Sequence, residues 1–359
     1  MEFGLSEEQE LLQQTIRSFV ARECPPTRLR EIFDSGSGHD PSLWAALAEM
    51  GVTGLMVPEI HGGAGLETLD LALVCEAMGE GALPIPLIGH ALATLALVEG
   101  DSDDAKSTWL PRLADGSAVG TVALCEDASA WEPETWRARV TGGALTGCKL
   151  YVPHADVAQI LIVGLEGGGL ALVEAGSPGV EVESQGGVDR TRPVFRVDFE
   201  SAACRVLSAD PRLARRVRDV GLSLLAADAF GAATRLVDMA VAYTKTREQF
   251  GRKIAEFQAV KHQIARLGLD IEPTRALYWY AAYAVDHLPG EGEHAAALAK
   301  SHITDRAIHA ARTVVGLHGG IGFTWECDVQ MWFKRVMFDR AFLGTPESLR
   351  ERCAALAGW

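Results

Sequence analysis

The sequence predicts an α+β chain in three parts: a helical domain over 1–116, a middle β barrel or sandwich over 117–208, and a helical bundle over 209–359. Three observations carry this. Apolar residues recur at helical spacing through the first third. From about 117 to 207 the pattern changes to short runs rich in Val, Ile and Leu, such as "VAQILIVGLEGGGLALVEA", with glycine-rich turns between them. From about 210, long stretches with an apolar helical face return.

Element by element, "LSEEQELLQQTIRSFVARE" opens with Ser6 and Gln9 three apart, a capping box, preceded by Leu5. Leu11, Leu12, Ile16, Phe19 and Val20 then mark one helical face. "PSLWAALAEMG" reads as a second helix stopped by Gly51. "VPEIHGGAGLETLD", with Pro58 and three glycines, reads as a loop. "LDLALVCEAMGEG" and "GHALATLALVEG" are apolar helices, and "DAKSTWLPRLADG" is a short one ending near Gly116. The middle runs give about seven or eight strands. The last third holds three long helical stretches: one leading into "TREQFG", one over "FQAVKHQIARLGLDIEPTRALYWYAAYAVDHL", and one over "HAAALAKSHITDRAIHAARTVVGLHGG".

Composition excludes several function classes. The 359 residues are 48% hydrophobic, enough for a large core, and carry a formal net charge of −15. That charge argues against non-specific nucleic-acid binding and against docking on anionic lipid. No secretory signal pattern is visible, and no uninterrupted apolar run approaches the roughly 18 residues of a membrane span. The seven cysteines are dispersed, without CxxC spacing, and read as reduced, buried thiols of a cytoplasmic protein. The histidines form no metal-ligand pattern, so no metal is expected.

Two segments stand out for chemistry. In "TREQFGRKIAEFQAVKHQIA", Arg247 and Gln258 are eleven apart, about three helical turns, so a helix unbroken at Gly251 would put them on one face. Arg offers a rigid fork of donors suited to pyrophosphate, with an amide beside it; a solvated surface helix is the plainer reading. In "VVGLHGGIGFTWECDVQMWFKR", the paired glycines after His318 let backbone approach a ligand closely, or simply form an interhelical turn.

Taken together, "TREQFGRKIAEFQAVKHQIA" and "LHGGIGFTWECDVQMWFKR" resemble the two flavin-contact motifs of acyl-CoA dehydrogenases. "LSEEQELLQQTIRSFVARE" and "LWAALAEMGVTGLMVPEIHGGAGLETLDLALVCEAMGEG" resemble that family's N-terminal helices, so the resemblance covers nearly the whole chain. It implies a C-terminal four-helix bundle. It also implies that Arg247, Phe250 and Gln258 contact the FAD of a neighbouring subunit, that Gly319 and Gly320 approach its adenine-nucleotide portion, and that Gly344 and Thr345 lie near the flavin of the subunit's own site. The implied reaction is α,β-dehydrogenation of an acyl-CoA thioester: a carboxylate removes the α-proton, hydride passes to flavin N5, and electrons leave to an electron-transfer flavoprotein.

The sequence departs from that family where the base should be. The usual Glu position before the C-terminal Gly-Thr is Leu343, and a second placement falls near Gly221. The middle-domain motifs read "LCEDASAWEPETW" and "LTGCKLYVPHADVAQILIV", which leaves Leu124, Glu126 and the loop from Val152 to His154 as positional guesses for flavin contact. These departures resemble a subgroup that acts on bulky, notably steroid, CoA thioesters and often assembles as α2β2 heterotetramers. In its catalytic subunits a Glu often follows Ala-Ala on the helix leading to Arg-Glu-Gln-Phe-Gly. Here that segment is "LLAADAFG", and Asp228 holds the position. Burial makes a carboxylate a better proton acceptor. Yet Asp is one methylene, roughly 1.5 Å, shorter than Glu. The other reading is a buried Asp held by a partner such as Arg235, Arg247 or His318. Asp219, expected to pair with "RRVR" on the surface, and Glu347, expected to cap the last helix, are weaker candidates for the base. The readings are therefore a dehydrogenase working as a homo-oligomer or heterotetramer, a non-catalytic subunit of such a heterotetramer, an oxygen-using oxidase variant, and a flavin-free scaffold.

Overall fold

The computed structural model describes residues 4–128 and 131–359; Ser129 and Ala130, within the segment "LCEDASAWEPETW", lie outside the described residues. In chain order the helices are α1 (Glu7–Glu23), α2 (Pro26–Ser35), α3 (Pro41–Glu49), α4 (Thr68–Gly81), α5 (Leu87–Glu99) and α6 (Asp103–Ala114). Eight strands follow: β1 (Gly120–Ala123), β2 (Arg139–Thr141), β3 (Ala144–Pro153), β4 (Ile160–Gly164), β5 (Leu170–Glu174), β6 (Val180–Ser184), β7 (Val194–Ala203) and β8 (Arg205–Ser208). The last part holds α7 (Pro211–Thr246), the short strands β9 (Glu248–Gln249) and β10 (Arg252–Lys253), α8 (Gln258–Ile271), α9 (Arg275–His287), α10 (Gly292–His318), α11 (Val329–Ala341) and α12 (Pro346–Leu356). The helix, sheet, helix order expected from the sequence is present.

The chain packs as two compact units whose division falls inside α4 and inside α7. One unit contains Ser35–Leu71 and Pro84–Gly221. Its strands form two four-stranded sheets, ordered β1-β4-β5-β8 and β2-β3-β7-β6; β1 and β4 are parallel and the other pairs antiparallel. Inward residues of both sheets, among them Leu145, Leu161, Val163, Val173, Val197 and Phe199, share one core, so this is the sandwich alternative. Lys149 is fully buried in it, over the Trp136 ring. Its Nζ donates to Leu124 O at 3.0 Å and Glu126 Oε1 at 2.5 Å, and burial pulls its pKa down to about 8. Glu126 Oε1 also accepts from the backbone N–H groups of Arg137 and Ala138. In the same unit Asp219 pairs with Arg218 at 3.0 Å, but both are buried, not at the surface as expected.

The other unit contains 4–34, Ala72–Leu83 and Leu222–Trp359. The α1 capping box forms as expected: Ser6 Oγ accepts from Gln9 N–H and the Gln9 side chain accepts from Ser6 N–H. Ile16, Phe19 and Val20 are buried, whereas Leu11 is exposed. α4 and α7 cross so closely that a Cβ on Gly79 would overlap the Asp228 carbonyl, and one on Gly231 would overlap the Glu76 carbonyl. Only glycine permits that reciprocal approach. Glu76 is fully buried there and draws Arg17 at 2.7 Å, Arg275 at 2.5 Å, Gln13 Nε2 at 2.8 Å and the Tyr278 hydroxyl.

Three local expectations change. α2 was not expected; it starts on Pro26, whose fixed φ suits a first helical turn, and only Leu29 and Phe33 mark its buried face. The second long C-terminal stretch is two helices, α8 and α9, broken by a turn at Glu272–Thr274 that contains Pro273. Cys148, Cys204 and Cys353 are half-buried; the other four cysteines are buried, and all seven are free thiols. α7 is long and apolar enough to cross a membrane by length and composition, but 83% of its most apolar window is buried in protein.

Gly231→Ala is expected to lower stability by about 1–3 kcal/mol through overpacking. Gly268→Ala on α8, where an added Cβ meets open space, is expected to leave it unchanged or raise it by up to about 1 kcal/mol. Urea midpoints of the two variants against the parent check this; equal midpoints would refute the close crossing.

Candidate functional site

The helix leading to Arg247 stops at Thr246, where Arg247 N–H donates to Tyr243 O at 2.9 Å. β9 and β10 then pair antiparallel around the two-residue turn Phe250–Gly251. Both turn residues have positive φ, 54° and 76°, as a type I′ hairpin requires. Ile254 N–H returns to Arg247 O at 2.9 Å, and α8 starts afresh at Gln258. An unbroken helix would put Arg247 and Gln258 on one face; the helix is broken at Gly251, by a hairpin, so they do not share one. Phe250 is 91% exposed at the tip, and Arg247 is exposed with no ion-pair partner among the described residues.

The second motif sits at the end of α10. Gly319 takes φ 65° and ψ −144°, a combination that only glycine adopts readily. Added Cβ atoms on Gly319 and Gly320 would meet open space, so their backbone is free to be approached. The ring of His318 stacks on Tyr243 with centroids 4.2 Å apart, and its Nδ1–H donates to Val314 O at 2.8 Å. Beyond the turn, Trp325 Nε1–H donates to Asp34 at 2.9 Å and Lys334 lies 4.2 Å from the Trp325 ring. Ile321 and Phe323 are exposed.

The third motif is the turn from α11 into α12. Leu343, buried, has φ 60°, a left-handed conformation unfavourable for a branched side chain, and Gly344 has φ 107°. Fully buried Lys300 on α10 holds this turn: its Nζ donates to Phe342 O at 2.6 Å, to Arg340 O at 3.3 Å, and to Gly344 O. Burial lowers the Lys300 pKa to about 7, opposed by the nearby Asp339 carboxylate. Thr345 is the N-cap residue of α12, and Glu347 lies in the first turn, where a backbone N–H holds its pKa down at about 2 and Arg340 pairs with it at 2.5 Å. Sequence reasoning missed Lys300; a lone Lys in the alanine-rich run "AAALAKSHI" was the available signal.

Asp228 lies inside the helical unit, 1% exposed, with Oδ2 3.0 Å from Nε of Arg335, itself 1% exposed. Arg335 also donates to Leu83 O at 2.9 Å, past the end of α4. The partners expected for Asp228 are corrected: Arg235 stacks over Trp332, His318 on Tyr243, and Arg247 is exposed. The structure thus links the Arg247 turn and the His318–Gly319 turn through Tyr243, leaves Phe250 exposed at the hairpin tip against Phe257, anchors Gly344 through Lys300, and places Asp228 in an ion pair in the core.

Family models for the acyl-CoA dehydrogenase N-terminal and C-terminal domains match residues 6–117 and 220–357. The acyl-CoA dehydrogenase IpdE2 of Mycolicibacterium smegmatis is 33% identical over 98% of this chain and 99% of its own. Among solved structures, a variant of the Tcur3481–Tcur3483 steroid ACAD superposes with a TM-score of 0.90 at 31% identity, covering 98% of each chain. The ChsE4–ChsE5 complex of Mycobacterium tuberculosis gives 0.90 at 26% identity, covering 100% of this chain and 99% of that one. The chain belongs to the acyl-CoA dehydrogenase family of flavoprotein oxidoreductases.

Proposed function

We propose that this chain is the subunit of a heteromeric, FAD-dependent acyl-CoA dehydrogenase that reads the cofactor across an interface, while a homologous partner supplies the base. The observation that carries this reading is the exposed Arg247–Phe250 hairpin. A guanidinium without a carboxylate and a phenyl ring almost wholly in water are both costly or idle in the chain alone. Both are suited to a neighbouring subunit's ligand: Arg247 for pyrophosphate, Phe250 for a flat ring system, and the open Gly319–Gly320 backbone for the adenine-nucleotide end. The residues present therefore fit FAD, with Gln258 a further donor and Gly344 and Thr345 facing the chain's own site. Bound FAD supplies the two-electron acceptor for hydride leaving the substrate β-carbon, and an electron-transfer flavoprotein is the proposed next acceptor.

The base is a separate question. It must be ionised, accessible and free to move toward the α-proton. Leu343 cannot take a proton. Asp228 is held by Arg335, and separating a buried pair costs about 3–5 kcal/mol, or roughly 10²- to 10⁴-fold in rate. We therefore read Asp228 as the anionic half of an internal ion pair rather than as the base. Two relatives carry names that join two chains, Tcur3481–Tcur3483 and ChsE4–ChsE5, which supports a heteromer; the steroid ACAD supports a bulky CoA thioester as substrate.

Three outcomes are expected. Purified with a homologous partner encoded beside it, the chain bleaches bound flavin in anaerobic titration with a bulky acyl-CoA, and purified alone it does not; full bleaching by the chain alone would remove the need for a partner. In the loaded assembly, Asp228→Asn keeps the flavin-reduction rate within about tenfold while lowering the unfolding midpoint, as loss of a buried pair requires. A thousandfold or larger rate loss with an unchanged midpoint would restore Asp228 as the base. Arg247→Ala weakens FAD binding by about 10- to 150-fold, the loss of a charged hydrogen bond, with the apo-protein midpoint unchanged; undiminished flavin occupancy would contradict the cofactor reading.

A further inference from the structure

Tyr243 belongs to neither cofactor motif, yet it touches both. Its backbone oxygen accepts from Arg247 N–H at 2.9 Å, which fixes where the chain leaves α7 for the hairpin. Its hydroxyl donates to His318 O at 3.2 Å, the last carbonyl before Gly319. Its ring stacks on the His318 imidazole with centroids 4.2 Å apart and planes 20° from parallel. His318 is in turn held by its own Nδ1–H to Val314 O, and a Cβ added to Gly322 would press on His318 and on Val315 O. Tyr243 and His318 are 75 positions apart in sequence and lie near the ends of different helices, so nothing local sets their separation.

We propose that Tyr243 is a positioning residue that locks the Arg247 turn and the Gly319–Gly320 turn into one preformed surface for the pyrophosphate and adenosine of a dinucleotide. This rests on the cofactor reading given above. A rigid ligand that bridges two elements binds tightly only if their spacing is set beforehand; otherwise binding must order them. Tyr243 performs that ordering through two separable contacts. The hydroxyl restrains the peptide just before Gly319, and the ring stack restrains the end of α10.

The test uses the full chain purified with its homologous partner, apo and reloaded with FAD, with the dissociation constant read from quenching of flavin fluorescence. Tyr243→Phe keeps the ring and drops the hydroxyl, and is expected to weaken FAD binding about 5-fold, the range of one neutral hydrogen bond. Tyr243→Leu loses the stack as well and is expected to weaken it about 20- to 50-fold. The graded order, with partial retention by Phe, separates positioning from simple loss of folding. Tyr283→Leu on α9, an equally drastic change at another half-exposed tyrosine, whose ring lies tilted against His287 with centroids 4.5 Å apart, is expected to leave FAD affinity unchanged. If Tyr243→Leu fails to fold, Tyr243→Phe carries the test alone. Affinities of both Tyr243 variants within twofold of the parent, whatever their unfolding midpoints, would overturn the proposal. A parent assembly that binds no FAD would instead overturn the cofactor reading and this proposal with it.

Discussion

The close crossing of α4 and α7 sets the rest of the helical unit. Gly79 and Gly231 let the two backbones meet, each glycine lying against a carbonyl of the opposite helix. Those carbonyls belong to Asp228 and Glu76, so two carboxylates are carried into a region that water does not reach. Each must be paired, because an isolated buried carboxylate is far too costly. Arg335 from α11 answers Asp228, and Arg17 from α1 with Arg275 from α9 answers Glu76. The crossing thereby dictates which helices gather around it. Trp332 and Arg335 of α11 also donate to Glu80 O and Leu83 O, closing the open end of α4.

A carboxylate placed by such a crossing is available to chemistry only if its counter-ion lets it go, and Arg335 is as buried as Asp228. On the proposed reading the cofactor contacts lie elsewhere: an exposed hairpin, an exposed glycine turn, and a buried turn at Leu343–Gly344 whose left-handed backbone persists although its side chain has no acid. Lys300 holds that last turn by three carbonyls, a structural role that does not require Leu343 to be reactive.

Much of this was legible in the sequence. The α1 capping box, the strand runs and the order of helices and sheets follow from local spacing and turn chemistry. The three segments that resemble the family's cofactor motifs were legible because each is a contiguous string. What was not legible depends on contacts distant in sequence or on a conformation that interrupts a pattern. The partner of Asp228 lies more than a hundred positions downstream, and nearer arginines looked equally suitable. Gly251 signals a break after "TREQFG", but the local string does not specify that the break is a two-strand hairpin. Asp219 was expected at the surface because its arginine neighbours suggested solvent; the packing buries the pair instead.

The proposal on which the rest turns is that Asp228, paired with Arg335 at 3.0 Å, serves that pair and not a substrate. A double-mutant cycle on unfolding free energy, with Asp228→Asn, Arg335→Met and the two combined, tests it most directly. If the two form a buried ion pair, each single change costs about 3–5 kcal/mol and the double variant recovers most of that loss, because no charge is left unpaired. Strictly additive losses, with a coupling near zero, would contradict the pair and return Asp228 to consideration as a free carboxylate.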